Sequence, residues 1–136
     1  MKAKAIVPII IGTGIIFFGT RSGSISTSQS DFVTNAVRKL GFLTTLDFYK
    51  AAYIVRKAAH MFEYCIFAGS ASWAIRRTLD KKASYMAFII AVMLAGFDEI
   101  MQFSQEGRIG CATDVLIDSL GAAVGICLYN LFRKHD

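Results

Sequence analysis

Four long apolar runs, set apart by short clusters of lysine and arginine, limit this chain more than any other feature. They cover residues 5–20, 58–75, 84–103 and 115–132. A helix rises about 1.5 Å per residue, so a run of roughly 20 apolar residues crosses a hydrocarbon core of about 30 Å. The first run covers only about 24 Å by the same arithmetic. Lys4 can snorkel to extend it, and Thr13 can bond back to its own helix. Pro8 sits near the start of that helix, where a missing N–H matters least. The segment has the flavour of a signal peptide, but no clean small-x-small site follows it, so an uncleaved first span is expected. Backbone crossing lipid must satisfy its own polar groups, which leaves helices for runs of this length. The expected fold is all-α: a single membrane domain over residues 1–136, built as a four-transmembrane-helix bundle.

Composition agrees. Hydrophobic residues make up 54% of the 136, above the roughly 45–50% of average chains. The formal net charge of +5 does not point to nucleic acid. The basic residues fall in pairs between apolar runs (Arg76 and Arg77, Lys81 and Lys82, Arg133 and Lys134) rather than in one continuous stripe. The three cysteines, Cys65, Cys111 and Cys127, are odd in number and widely spaced, so they form neither a disulfide framework nor a metal-spaced pair.

The basic clusters also orient the chain. With the N-terminus inside, the cytoplasmic segments are short and carry Lys2, Lys4, Arg76, Arg77, Lys81, Lys82, Arg133 and Lys134. The opposite side spreads Arg21, Arg38, Lys39, Lys50, Arg56, Lys57 and Arg108 over a longer stretch. Both termini are therefore expected in the cytoplasm of a multi-pass cell-membrane protein. Residues 22–55 are then extracytoplasmic. They begin with "SGSISTSQS", which reads as a polar linker. In "DFVTNAVRKLGFL" that follows, Phe32, Val33, Ala36, Val37 and Leu40 recur at helical spacing, and Gly41 is a stop. An amphipathic helix on the outer leaflet, between spans one and two, fits this pattern; the competing reading is a packed extracellular lid that makes no lipid contact. Another short helix from about Thr45 can run straight into span two, since no proline or glycine interrupts residues 43–68.

The polar residues inside the runs gather at one level. Span two carries Arg56, His60, Glu63 and Tyr64 near its start, span three carries Asp98, Glu99 and Gln102 near its end, and span four carries Asp114 and Asp118 near its start. In an alternating topology all three positions are outer ends. Arg56, His60 and Glu63 share a helix face, as do Asp98 and Gln102. Asp114, Asp118, Gly121 and Gly125 form a third stripe, and Gly121-x-x-x-Gly125 lets a neighbouring helix approach closely. The faces can meet in one outward-opening pocket. Carboxylates at that depth must be paired, protonated or metal-bound, with Arg56, His60 and Arg108 as available partners. The competing reading is that these charges only pair with one another and fix helix packing.

Three stretches, "RKAAHMFEY" (residues 56–64), "DEIMQ" (residues 98–102) and "GRIGCATDVLIDSLGAAVG" (residues 107–125), make the chain resemble the VanZ-like family of small integral membrane proteins. The resemblance implies importance for Arg56, His60, Glu63, Asp98, Glu99, Gln102, Arg108, Asp114, Gly121 and Gly125. The chain departs from the pattern at Met101, where the family often has histidine, and at Asp118, where it often has asparagine. The resemblance also implies a cell-envelope role linked to resistance to the lipoglycopeptide teicoplanin, without supplying a reaction.

Three functions follow. In the first, the protein binds a lipid, a lipid-linked envelope precursor or a lipoglycopeptide at its outer face, through Arg56, His60, Glu63, Tyr64, Asp98, Glu99, Gln102, Arg108, Asp114 and Asp118, with the arginines suited to phosphate. In the second it is a membrane-embedded hydrolase or transferase acting on a lipid headgroup or cell-wall precursor. His60 or Glu63 would then be the general base, and Asp98, Glu99 and Asp114 could hold a divalent cation. The third, a proton or ion pathway, is disfavoured because the inner halves of the spans lack acidic stepping stones. No metal and no oligomeric state is assigned by the residues alone.

Overall fold

The computed structural model describes residues 12, 14, 23–79, 83–103 and 112–133. Four helices make up nearly all of it: α1 (Gly23–Lys39), α2 (Phe48–Leu79), α3 (Ala83–Phe103) and α4 (Ala112–Arg133). No strand occurs among the described residues. Of the apolar run over residues 5–20, Gly12 and Gly14 are described. Both are helical, and a Cβ on Gly12 would come within 2.9 Å of the Phe67 ring of α2.

The serine-rich stretch expected to be a linker is helical, because α1 begins at Gly23. Thr34 shows how such a polar sequence is accommodated. It is fully buried, and its hydroxyl donates to the Ser30 carbonyl at 2.6 Å, so the side chain satisfies itself on its own helix. Gly41 is the expected stop. Its φ is +88°, and the Gly41 N–H donates to the Arg38 carbonyl while the Phe42 N–H donates back to Val37. This is the paired closure that a left-handed residue after the last turn permits. Arg38 spans the connection, donating to the Leu46 carbonyl at 3.1 Å and lying over the Phe48 ring. α2 begins at Phe48 rather than near Thr45, since the Asp47 carboxylate accepts the Tyr49 N–H and caps the first turn. From there it continues unbroken through the region expected for span two.

At 32 residues, α2 is about 48 Å long, well beyond a hydrocarbon thickness of about 30 Å. Two helices, Ala83–Met101 within α3 and all of α4, are long and apolar enough to cross a membrane. α2 falls below that apolarity. Its run over 58–75 includes His60, Glu63, Tyr64, Ser70 and Ser72, and charged residues flank it on both sides.

The interior is lined with small residues. Ala83, Ala87, Ala91 and Ala95 form an unbroken i, i+4 ladder down α3, all buried, against Tyr64, Phe67, Ala68 and Ala71 of α2 and Ala122 of α4. Phe88, Ile90, Leu94, Val115 and Ile126 pack against this core half-buried, while many other large apolar side chains of α3 and α4 point outward. Tyr85, Ile89, Met93 and Phe97 on α3, and Leu116, Leu120, Val124 and Leu128 on α4, are exposed. Only 22% of the apolar window of α3 and 28% of that of α4 are buried. A water-soluble core would place these bulky groups inside. Small groups within and large ones without is how helices pack where lipid, not water, surrounds them.

α2 and α4 approach most closely. A Cβ on Gly121 would run into the Met61 carbonyl oxygen, and one on Gly125 into that of Cys65. On the opposing helix, a Cβ on Gly69 would lie 3.2 Å from the Gly125 carbonyl. The two helices therefore run parallel, with Met61 level with Gly121 and Cys65 with Gly125. α3 runs the other way, its first turn tied to the last turns of α4 by a Ser84–Asn130 hydrogen bond. Replacing Gly125 with alanine should push backbone against backbone and cost about 1–3 kcal/mol. The same change at Gly96, with nothing within 4 Å of its Cβ position, should be neutral or stabilise by up to about 1 kcal/mol. Thermal unfolding of both variants in detergent checks the contrast, and equal behaviour would contradict the contact.

Candidate functional site

The parallel pairing of α2 with α4, and the antiparallel run of α3, bring the start of α2's apolar stretch, the end of α3 and the start of α4 to the same end of the bundle. Each helix aims one acid or base inward by simple spacing. On α2, His60 lies one turn before the buried Tyr64. On α3, Asp98 extends the alanine ladder by three residues. On α4, Asp118 precedes the interfacial Gly121 by three. One ligand-type atom from each of His60, Asp98 and Asp118 lies within 4.8 Å of the others. Asp98 is 6% and Asp118 4% exposed.

Around this trio the other residues of interest take distinct places. Glu63, half-buried, is within electrostatic reach of Asp98. Glu99, also half-buried, is within reach of Asp118 and of the Tyr64 hydroxyl. Arg56 is half-buried with its guanidinium 6.0 Å from the centre of the Tyr53 ring. Gln102 belongs to the last turn of α3, and Met101 beside it is exposed. Arg108, Arg21 and Cys111, which the sequence analysis also raised, lie outside the described residues.

Two features depart from the sequence-based picture. Asp114 reads from sequence as a candidate cation ligand with Asp98 and Glu99, yet it forms an ion pair with Lys57, which the sequence marks only as one of the outer-side basic residues. The lysine stem reaches outward along α4, and its ammonium lies 5.0 Å from the Tyr53 ring centre as well. The ion pair thus lies on the outer side of the cluster, and Asp118, one turn deeper, takes the central position. The second feature is Tyr64. Its side chain is fully buried, and its hydroxyl has no hydrogen-bond partner among the described residues. That oxygen is within electrostatic reach of Asp98, Asp118, Glu63 and Glu99. Sequence spacing marks Tyr64 as a neighbour of His60, but an unsatisfied hydroxyl is not visible in a sequence.

A cavity of about 10 Å³ opens between α2 and α4 at this level, lined by Lys57, His60, Asp114, Ile117 and Asp118. That is space for a water-sized guest. Further out, an open groove of about 410 Å³ runs along the exposed first turns of α2, lined by Leu46, Tyr49, Lys50, Tyr53 and Ile54. The two are chemically unlike. The inner one is small and charged, with two carboxylates, an imidazole and the Lys57 ammonium. The outer one is apolar, aromatic and basic.

The family model described as VanZ/LLP1 matches residues 5–133, nearly the whole chain. No curated protein and no solved structure matches it.

The Lys57–Asp114 pair, with side chains 15% and 24% exposed, should couple measurably. In a cycle of Lys57→Ala, Asp114→Ala and the double variant, the interaction energy from detergent unfolding should fall within about 0.5–3 kcal/mol. Additive single effects would show that the pair contributes nothing to folding.

Proposed function

Because the chain belongs to the VanZ/LLP1 family, we propose that it is a four-span protein of the cell envelope that binds a lipid or lipid-linked envelope molecule at its outer face and so lowers the effect of a teicoplanin-type antibiotic. The observation that carries this reading is the gathering of His60, Asp98 and Asp118 towards the end of the bundle where α2 begins, the end joined to a segment rich in exposed apolar and aromatic residues. Phe32 and Leu40 of α1, Phe42 of the connection, and Tyr49 and Tyr53 of α2 all stand exposed there. Such a belt is at home among headgroups and upper acyl chains. Arg76, Arg77 and Arg133 mark the opposite end, and basic residues favour the cytoplasmic side. That supports an outward-facing site and cytoplasmic termini.

In this arrangement the acyl part of a ligand lies along the belt and its polar head reaches the mouth of the cluster. Arg56 and Lys50, at that level of α2, supply positive charge for a phosphate or carboxylate. The Lys57–Asp114 pair holds the rim between α2 and α4. The acids below orient the basic groups rather than meet the ligand's anion directly.

A second reading is favoured by one specific observation, the convergence of an imidazole with two buried carboxylates. A histidine so placed can act as general base, which would make the protein a hydrolase or transferase for a lipid headgroup or cell-wall precursor, with Glu63, Glu99 and Asp114 as further participants.

Expression in a teicoplanin-sensitive host should raise the inhibitory concentration, and Arg56→Ala should abolish the rise. Under the binding reading Glu63→Gln keeps most of the effect, because charge at that position only orients its neighbours. Loss of resistance in Glu63→Gln and His60→Ala, together with turnover of a defined lipid-linked substrate by purified protein, would select the enzyme instead. With Cys65, Cys111 and Cys127 replaced by serine, single cysteines introduced at Ser28 and Arg133 should be labelled from outside and only after permeabilisation, respectively. The reverse pattern would invert the proposed topology.

A further inference from the structure

The small inner cavity and the outer groove need not serve the same guest. We propose that His60, Asp98 and Asp118 bind a divalent transition-metal ion of the zinc type, resident between α2, α3 and α4, with the Tyr64 hydroxyl hydrogen-bonded to one of its oxygen ligands.

Four independent features agree. The first is geometry. Three ligand-type atoms from three different helices already lie within 4.8 Å of one another. Atoms sharing one ion at bond lengths of about 2.1 Å are about 3.0–4.2 Å apart, so a rotamer-scale adjustment completes the contact. The second is the donor set. One imidazole nitrogen and two carboxylate oxygens suit zinc better than calcium, which prefers six to eight oxygens. Three protein ligands also leave a position for water or a phosphate oxygen. The third is charge. Asp98 and Asp118 are almost wholly removed from solvent, and a divalent ion between two carboxylates forms a neutral unit in surroundings where net charge is costly. The fourth is Tyr64. A fully buried hydroxyl without a hydrogen-bond partner among the described residues, within electrostatic reach of both aspartates, is costly as it stands. A metal-bound water, or a carboxylate oxygen turned by coordination, gives it a partner. Two of the three ligands, His60 and Asp118, also line the water-sized cavity between α2 and α4, together with Lys57, Asp114 and Ile117.

The inference goes beyond the proposed function, and it is measured without lipid or antibiotic, so either can fail alone. The probe is Zn²⁺ itself, titrated into full-length protein purified in detergent and stripped with a chelator, with metal content read by mass spectrometry. One Zn²⁺ per chain is expected, with a rise in unfolding temperature on loading. Asp118→Asn and His60→Ala should each weaken binding by more than about 100-fold. Tyr64→Phe should weaken it by roughly 10-fold, within the range for groups that support a ligand. Should His60→Ala fail to elute as folded protein, Asp118→Asn and Tyr64→Phe carry the test, since each nearly keeps the original shape. Excess Ca²⁺ should not displace the zinc. Sub-stoichiometric binding, binding unchanged in Asp118→Asn, or ready displacement by Ca²⁺ would each overturn the assignment.

Discussion

The backbone contact between α2 and α4 determines where everything else in this protein can be. Two helices whose carbonyls meet the Cα atoms of Gly121 and Gly125 have no freedom to slide, because any shift brings a side chain where there is room for none. In a bilayer this restriction matters more than it would in water. Lipid supplies no hydrophobic force between helices, so their association rests on close packing. The glycines therefore contribute both adhesion and register. Register is what the site needs: His60 directly precedes Met61, which faces Gly121, and Asp118 lies one turn before that glycine. Fixing Met61 against Gly121 fixes the imidazole against the carboxylate.

α3 completes the arrangement by a related device. Its alanine ladder presents a nearly smooth face to the α2–α4 pair, which lets it lie close enough for Asp98 to enter from the third side. Bulkier residues along that face would hold the helix away and leave the aspartate short of its neighbours. The chain thus spends its small residues inside and its large ones on the rim. That allocation is costly for a protein folding in water and natural for one folding in lipid. It also explains why hydroxyls such as Ser70 and Ser119 bond back to their own helices, where water is not available to receive them.

Much of this was legible in the residues. The all-helical architecture follows from the length of the apolar runs. The common level of the acids follows from alternating direction, and the role of Gly121 and Gly125 from their spacing. Gly41 marked the end of α1 because only a residue comfortable at positive φ closes a helix in that way. What escaped was contingent on contacts between helices. Lys57 looks like any basic residue at the edge of an apolar run, and its pairing with Asp114 depends on which way a flexible stem turns. The alanine ladder is hidden because its period is shared by the large residues on the opposite face, so only burial separates the two stripes. The helical start of α1 was missed because a run of serines has weak helix preference. Span two reads as an apolar run by eye but falls short in composition, because the polar site occupies positions that lipid-facing residues would otherwise hold.

The distribution of polarity along the bundle bears on what kind of site this is. A conduit for ions needs polar stations along its full length. Here the described interior below the cluster is Phe67, Ala68, Ala71, Ala74 and Ile75 from α2, facing Ala83, Ala87 and Ala91 from α3, with Ser72 as its buried hydroxyl. An ion leaving the His60 level towards the other end would meet about 15 Å of packed alkyl groups by helix rise, at a cost of several kcal/mol or more for an unpaired charge. Among the described residues, that apolar packing fits the proposed reading of a recess reached from one end better than it fits a conduit. On the proposed reading, a guest would reach the cluster from the end where α2 begins, as a molecule presented at a membrane surface would.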